Sequence, residues 1–468
     1  MTVLALFYLD GQVDTHDTAS PAGADISEKP HPYWPTNTYK TRCPASFPCV
    51  SHVCMYRKVP AHSSPSSLFL LSPHAASRSP MASYKDVHYT TTIHIHVVTI
   101  IERQRRDRAF REMRCREKMV EKIRASVIGA SGYGGAEAVR LLATHPQINI
   151  VHVTADSQKG REMSNLYPNL RRYVDQTMIE ADAEAIGRDS DVTFVSLPSG
   201  KAMHMVLPLL EGGSKVIDIA ADFRLHDASL YPVWYKFEHA APTYLGEAVY
   251  GLPELHRDEI RQTRLLANPG CYPAAALLAL LPLIRSGKAQ TSGIVIDAKS
   301  GVSGAGRGGG GGFGYAEVNE NLSAYSVTAH NHTAEIEQEL SGAAGGEAPV
   351  RVVFTPHLVP MTRGILATAY VPLAEELAES EALALYDDMY ADEPFVRVLH
   401  DALPQTKATL GSNYCDVTVR INPRTQTAIA IAAIDNLGRG AAGQAVQNMN
   451  LMFDLPEATG LAFPGVFP

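Results

Sequence analysis

Long apolar runs are missing from this 468-residue chain. None approaches the roughly 18 consecutive apolar residues needed to span a bilayer, so no membrane partner is expected. An excess of positive charge is missing too. The chain has 41 Lys and Arg against 49 Asp and Glu, a net charge of −8, which argues against a nucleic-acid binder. Cysteine is scarce and unevenly placed. Of six, Cys43, Cys49, Cys54 and Cys115 fall within residues 1–118, and only Cys271 and Cys415 lie beyond. That is a reducing-compartment pattern rather than a disulfide framework, and the expected location is cytoplasmic. Metal-ligand spacing is missing as well. Cys43, Cys49, His52 and Cys54 form none of the usual CxxC pairs, so no metal is expected. What is present is 45% hydrophobic and 19% charged residues, the composition of a globular protein with a sizeable core, in a chain long enough for two or three domains.

Residues 1–118 read unlike the rest. "HSSPSSLFLLSPHAASRSP" is loop punctuation, "TTTIHIHVVTI" a lone strand with His94 and His96 on one face, and "ERQRRDRAFREMRCREK" a solvated, charged helix. No basic region precedes the first apolar run, as a secretory signal requires. Asp10, Asp14, Asp17, Asp25 and Glu28 are unlike a transit peptide. The segment is expected to be a poorly ordered extension, with natural translation starting at Met119 or Met113.

From Ile123 the pattern becomes orderly. "KIRASVIGASGYGGAEAVRLLATHP" reads as a buried strand, a glycine turn and a helix, and "INIVHVTAD" as the next strand. Gly129, Gly132 and Gly135 recur at spacing three, with Ser131, Tyr133 and Gly134 between them. Such a turn lets the backbone approach a pyrophosphate and aims helix N–H groups at it. The spacing is GxxGxxG rather than the commoner GxGxxG, so its place between strand and helix carries the reading. At the end of the second strand, Asp156 suits the ribose hydroxyls of NAD. Ser157, Lys159 and Arg161 suit a 2′-phosphate, or simply a solvated loop, which leaves NAD and NADP open. "DVTFVSLPSG" places Pro198 and Ser199 at a strand's C-terminal end, where open α/β sheets bind ligands. "KVIDIAADFRL" reads as a further strand.

Cys271 sits in "ANPGCYPAA", at the mouth of an apolar helix and between Pro269 and Pro273. The positive end of the helix dipole favours a thiolate there, and Pro273 suits a first turn whose N–H groups are unpaired anyway. The competing reading is a small buried hydrophobe. "SVTAHNHTAEIEQEL" sets His330 and His332 ahead of a helix; a histidine beside a thiol stabilises the thiolate and shuttles protons. "AKSGVSGAGRGGGGGFGY" surrounds Arg307 with glycines and suits an anion, or a linker. Arg363, at the junction into "GILATAYV", is a candidate carboxylate or phosphate clamp.

Taken in order, "GASGYGGAEAVRLL", "IDIAADFRL", "VYGLPEL", "ANPGCYP", "SGVSGAGRG", "EVNENLSAYSV", "PHLVPMTRGI" and "DNLGRGAAGQAVQNMN" resemble the N-acetyl-γ-glutamyl-phosphate reductase family of arginine biosynthesis, over about residues 121–468. The resemblance implies an α/β fold: a Rossmann-like, doubly wound NADP-binding domain and an α+β catalytic domain with a largely antiparallel sheet. It implies a small-molecule substrate, an acyl phosphate, attacked by Cys271 to give a thioester and phosphate. NADPH would reduce the thioester to the semialdehyde, splitting one hard step into two. His330 matches the family's acid/base position. Asn268, Arg307, His332, Glu335 and Arg363 become substrate-binding candidates, and Asn436 and Gly440 candidates for the nicotinamide pocket. NADPH dependence favours Ser157, Lys159 and Arg161 as the 2′-phosphate side. The chain departs from the family's "HRHTPEI" at Asn331 and Ala334, and from its usual Thr at Ala274. The run Gly308–Gly312 is richer in glycine than the family's loop.

The expected organisation is a cofactor domain over 121–268, rejoined by a capped C-terminal helix over 435–455, and a catalytic and oligomerisation domain over 269–434. A homo-oligomer, dimer or tetramer, is expected. An aspartate-semialdehyde dehydrogenase and a non-catalytic NADP-binding sensor are the alternatives. Free acetylated glutamate and a carrier-bound relative both remain open as the acyl group.

Overall fold

The computed structural model describes residues 122–308, 311–346 and 349–468. The expectations for residues 1–118, including those for the first four cysteines, lie outside the described residues.

Strands buried on both faces need near-continuous apolar sequence. "IRASVI" supplies it in β1 (Ile123–Ile128), buried from Ala125 onward. β2 (Ile148–Val153), β3 (Val192–Val195), β4 (Lys215–Asp218), β5 (Val249–Tyr250) and β6 (Leu265–Ala267) join it in the order β2-β1-β3-β4-β6-β5, with every pairing parallel. Between them run α1 (Tyr133–Thr144), α2 (Ala183–Asp189), α3 (Met203–Glu211) and α4 (Pro253–Gln262). The strand order reverses at β1, and the glycine turn leaves its C-terminal end, at the switch point where such sheets bind ligands. The expected strand "KVIDIAADFRL" is shorter than read. It stops at Asp218, whose carboxylate accepts the N–H groups of Ala220 and Asp222 and turns the chain.

The second sheet is mixed. β7 (Ile294–Ser300), β8 (Ser323–Ala324), β9 (Val352–Leu358), β10 (Ile365–Pro372), β11 (Val396–Val398), β12 (Cys415–Asn422) and β13 (Thr427–Ile434) lie in the order β11-β12-β13-β10-β7-β9-β8. Its pairings are antiparallel except for β11 with β12 and β7 with β9. The sheet thus fits the α/β class with a largely antiparallel second layer.

Against that sheet lies α5 (Cys271–Arg285), buried from Tyr272 to Ile284. A helix apolar all round must be covered all round, and α6 (His332–Ala344) and α7 (Glu379–Tyr390) help cover it. Pro282 sits inside α5 and has no N–H for the carbonyl of Leu278, four residues back. The hydroxyl of Tyr390 supplies the missing donor, 2.6 Å from that oxygen, and Tyr386 donates similarly to Ala279.

The single capped helix expected over 435–455 is instead a wide π-type turn, Gly438–Ala442, followed by α8 (Gly443–Met452). The cap is Asp435, whose Oδ1 accepts the N–H groups of Leu437 and Gly438. Every residue of α8 is buried, and Ala445, Val446 and Met449 pack with Val127, Leu141 and Leu142 of the first sheet's core.

Replacing Tyr390 by Phe should leave the Leu278 carbonyl buried without a donor and cost about 1–3 kcal/mol of stability. Urea denaturation would measure it; a variant as stable as the parent would show that the hydroxyl is not what satisfies the proline gap.

Candidate active site

The turn before α5 is held from several directions at once. Arg224 Nε donates to the carbonyl of Asn268 (2.8 Å), and the Asn268 amide donates to the carbonyl of Ala441 (3.1 Å). The Gly270 N–H donates to Glu335 Oε1 (2.7 Å), which also accepts from the Tyr250 hydroxyl (2.7 Å). Space is as tight as the bonding. A Cβ on Gly270 would lie 2.5 Å from His332 Nε2, and one on Gly440 would lie 2.8 Å from the Cβ of Cys271. Cys271, the first residue of α5, is therefore pinned from behind and keeps only its front partly accessible.

That front opens into a cavity of about 240 Å³ lined by Cys271, Tyr272, Ser300, Tyr325, His330 and His332, among others. The His330 ring stands edge-on to Tyr272 at 5.7 Å, Tyr325 at 5.6 Å and Phe354 at 5.3 Å between centroids. Burial lowers its pKa to about 4, so the ring is neutral near pH 7. Its Nδ1 accepts the His332 N–H at 3.2 Å. That bond uses the Nδ1 lone pair, so the neutral ring carries its proton on Nε2. Burial also holds His332 well below the usual histidine range, helped by its neighbours His330 and Arg224.

Burial pushes the Cys271 thiol up to about 11, with the positive charge of Arg224 opposing it. The expected thiolate, favoured by the helix dipole, is thus corrected: the resting group is a thiol, because desolvation of the charged form outweighs the dipole and the nearby guanidinium. Cys415 is wholly buried and its thiol is pushed higher still.

At the other sheet, Gly129 turns with φ +83°, and a Cβ there would meet the Ser196 carbonyl oxygen at 2.2 Å; one on Gly135 would meet the Gly129 oxygen at 2.3 Å. These contacts close the strand–helix turn tightly and leave a cleft of about 460 Å³, lined by Ser131, Gly132, Ser157, Gln158 and residues 305–308. The close backbone, the opening of α1 and the serine hydroxyls fit a dinucleotide. Ala305 lines both this cleft and the thiol cavity, so the two are neighbours.

The remaining candidates separate. Gly134 packs near the Ser196 hydroxyl, and Tyr133 faces a smaller pocket beside α1. Pro198 and Ser199 form the turn after β3, where the Pro198 carbonyl accepts the Lys201 N–H. Lys159 pairs with Glu180, and Arg161 donates to the Asn165 carbonyl at 2.8 Å. Arg307 donates to the Ser131 carbonyl at 3.1 Å, at the glycine turn rather than in the thiol cavity. Arg363 is away from the thiol too. It bridges Glu137 on α1 (2.8 Å) and Asp435 after β13 (3.0 Å), so two carboxylates already neutralise it. Asn436 is engaged by Ser303 and the Gly364 N–H. Asn268 and Glu335 support the turn from within, and Gly440 backs onto Cys271. Sequence reasoning passed over Arg224, Tyr272, Ser300 and Tyr325. Arg224 stands inside the motif "IDIAADFRL", where no local signal sets it apart.

Comparison with known proteins bears on the same residues. Residues 124–263 match the model of the semialdehyde dehydrogenase NAD binding domain, and residues 271–436 that of the semialdehyde dehydrogenase dimerisation domain. The chain is 52% identical over 349 residues to the N-acetyl-γ-glutamyl-phosphate reductase of Symbiobacterium thermophilum, covering 74% of this chain and 99% of that one. It is 51% identical over 347 residues to the protein of the same name from Pelotomaculum thermopropionicum, with 74% and 99% covered. Among solved structures, the aspartate semialdehyde dehydrogenase II of Vibrio cholerae shares the fold at TM-score 0.56 and 17% identity, covering 71% of this chain and 98% of that one. The aspartate semialdehyde dehydrogenase of Candida albicans, solved with NADP, does so at TM-score 0.52 and 16% identity, with 71% and 98% covered.

Iodoacetamide should label Cys271 before Cys415 in the folded protein, and the labelling rate should climb with pH toward about 11. A rate already level at pH 7 would mean that the thiolate is preformed. Labelling of Cys415 first would overturn the assignment of the accessible thiol.

Proposed function

Because the chain belongs to the N-acetyl-γ-glutamyl-phosphate reductase family, we propose that it reduces N-acetyl-γ-glutamyl phosphate to N-acetylglutamate 5-semialdehyde and phosphate through a thioester on Cys271. The observation that carries this reading is that the thiol cavity and the glycine-turn cleft are neighbours sharing Ala305 as a wall. An acyl group on Cys271 then lies beside whatever the cleft holds.

Cys271 Sγ bonds to the acyl carbon, the bond from that carbon to the phosphate oxygen breaks, and the thiol proton leaves on the phosphate. The N-terminal end of α5, with Arg224 behind it, favours the anionic acyl phosphate at this point. His330, neutral and carrying its proton on Nε2, donates to the acyl oxygen as negative charge builds there. When bound beside Ser131, Gly132 and Ser157, NADPH would supply a hydride to the thioester carbon, giving a hemithioacetal on Cys271. Collapse of that adduct breaks the carbon–sulfur bond, frees the semialdehyde and leaves a thiolate, which takes a new proton from solvent because its first left with the phosphate. The aromatic rings around His330 half-bury it, and that burial further favours its neutral form.

The acyl group is taken from the relatives at about half identity, which are N-acetyl-γ-glutamyl-phosphate reductases by name. The aspartate enzymes resemble the chain in fold alone. A homo-oligomer also fits the structure. Val295 pairs in register with both Val353 and Tyr370, so the three share one face of the second sheet, and all are exposed. Three adjacent exposed apolar side chains on one sheet face suit a second copy.

In an assay run backward, N-acetylglutamate semialdehyde plus phosphate should drive NADP reduction, and aspartate semialdehyde should do so far more slowly. Cys271→Ser should abolish turnover, and His330→Asn should lower it by about 10²–10⁴-fold. A fully active serine variant would remove the thioester, and cofactor binding with no parental turnover would favour the sensor. Val353→Asp should shift the sedimenting species toward the monomer; an unchanged species would place the interface elsewhere.

A further inference from the structure

We infer that Arg307, carried on the glycine-rich loop of the second sheet, selects NADPH over NADH by binding the 2′-phosphate together with the Ser157 hydroxyl; this rests on the reading of the chain as an NADPH-dependent reductase. The ribose end of a dinucleotide lies beside the end of the second strand of such a sheet. Here that end presents Ser157 to the cleft, while Asp156, the side chain that suits NAD, does not line it. A phosphate monoester brings close to two negative charges at neutral pH and needs a cation. Of Lys159, Arg161 and Arg307, only Arg307 lines the cleft. Lys159 is paired with Glu180 and Arg161 is folded onto the Asn165 carbonyl.

Arg307 is held but not neutralised. Its Nη1 donates to the Ser131 carbonyl at 3.1 Å, and its guanidinium lies 5.9 Å from the centroid of Tyr167. The Tyr167 hydroxyl donates to that same Ser131 oxygen at 2.8 Å, fixing the platform. A carbonyl and a ring face orient a guanidinium without cancelling its charge, and Arg307 makes no ion pair with a carboxylate among the described residues. The planar fork keeps further N–H donors for a phosphate. The pyrophosphate has its own donors in the N–H groups at the start of α1, so the cation of the loop is available to the phosphate that distinguishes the two cofactors. A residue of the second sheet's loop would then read the identity of a molecule bound on the first.

The test is calorimetric binding of NADPH, NADH, adenosine 2′,5′-bisphosphate and 5′-AMP to the full chain and to its Arg307→Gln and Arg307→Lys variants. Arg307 is exposed, so both variants should melt as the parent does. Arg307→Gln should bind NADPH and the bisphosphate about 10–100-fold more weakly, the loss of a charge-assisted contact, and NADH and 5′-AMP within about threefold of the parent. Arg307→Lys should recover part of the loss. Equal weakening toward NADH and NADPH would assign Arg307 to the pyrophosphate and overturn the inference, and so would no weakening at all. A parent that prefers neither NADPH nor the bisphosphate would instead overturn the NADPH reading, and this inference with it.

Discussion

The buried guanidinium of Arg224 is the constraint on which the site depends. It donates to the carbonyls of Asn268 and Ile219 and to Glu335, and lies 3.5 Å from His332. Three separate pieces of chain therefore converge on one charge: the turn after β4, the turn before α5 and the start of α6. Glu335 returns the favour by accepting the Gly270 N–H and the Tyr250 hydroxyl. A buried charge of this kind is tolerated only when paired and fully hydrogen-bonded, and removing one partner typically costs about 3–5 kcal/mol. Gly270 and Gly440 leave room for the convergence, and Cys271 is the residue it positions.

The same burial decides the state of the thiol. A helix N-terminus favours an anion by about 0.3–1 kcal/mol, rising to about 2 when partly buried. Raising a thiol from 9.0 to about 11 corresponds to roughly 3 kcal/mol against the charged form. Desolvation wins, so the enzyme rests with a protonated sulfur whose proton can leave with the phosphate. His330 is shifted by the same cause in the opposite chemical sense, toward its neutral form. Sulfur and imidazole are thus both uncharged at rest, and charge appears only as bonds change.

One loop joins the two halves of the chemistry. Residues 301–308 leave β7, line the thiol cavity at Gly301, Gly304 and Ala305, and reach the glycine turn at Arg307. Arg363 makes a second connection, from the loop before β10 to Glu137 on α1 and to Asp435. α8 makes a third by packing into the first sheet's core. Hydride transfer needs reacting atoms within about 3–3.5 Å, and these ties hold the two sheets in a fixed relation.

Local chemistry was legible in the sequence. The strand–glycine–helix unit, the thiol at the mouth of an apolar helix and the histidine pair each follow from residue type and spacing, because backbone sterics and helix polarity act over a few residues. The arginines show where that reading stops. Arg224, Arg307 and Arg363 all lie in quoted motifs, and nothing local distinguishes a buried organiser, a free cation at a cleft and an interlocking ion bridge. Their roles are set by partners scores of residues away: Glu335, Ser131 and Glu137. The thiol's protonation likewise reversed the dipole-based expectation, since desolvation depends on what covers a group. The sequence by itself determined the reactive groups and the order in which the chain presents them. Only the tertiary structure decided which of them meet and which are dry, because burial and long-range pairing arise when distant segments pack together.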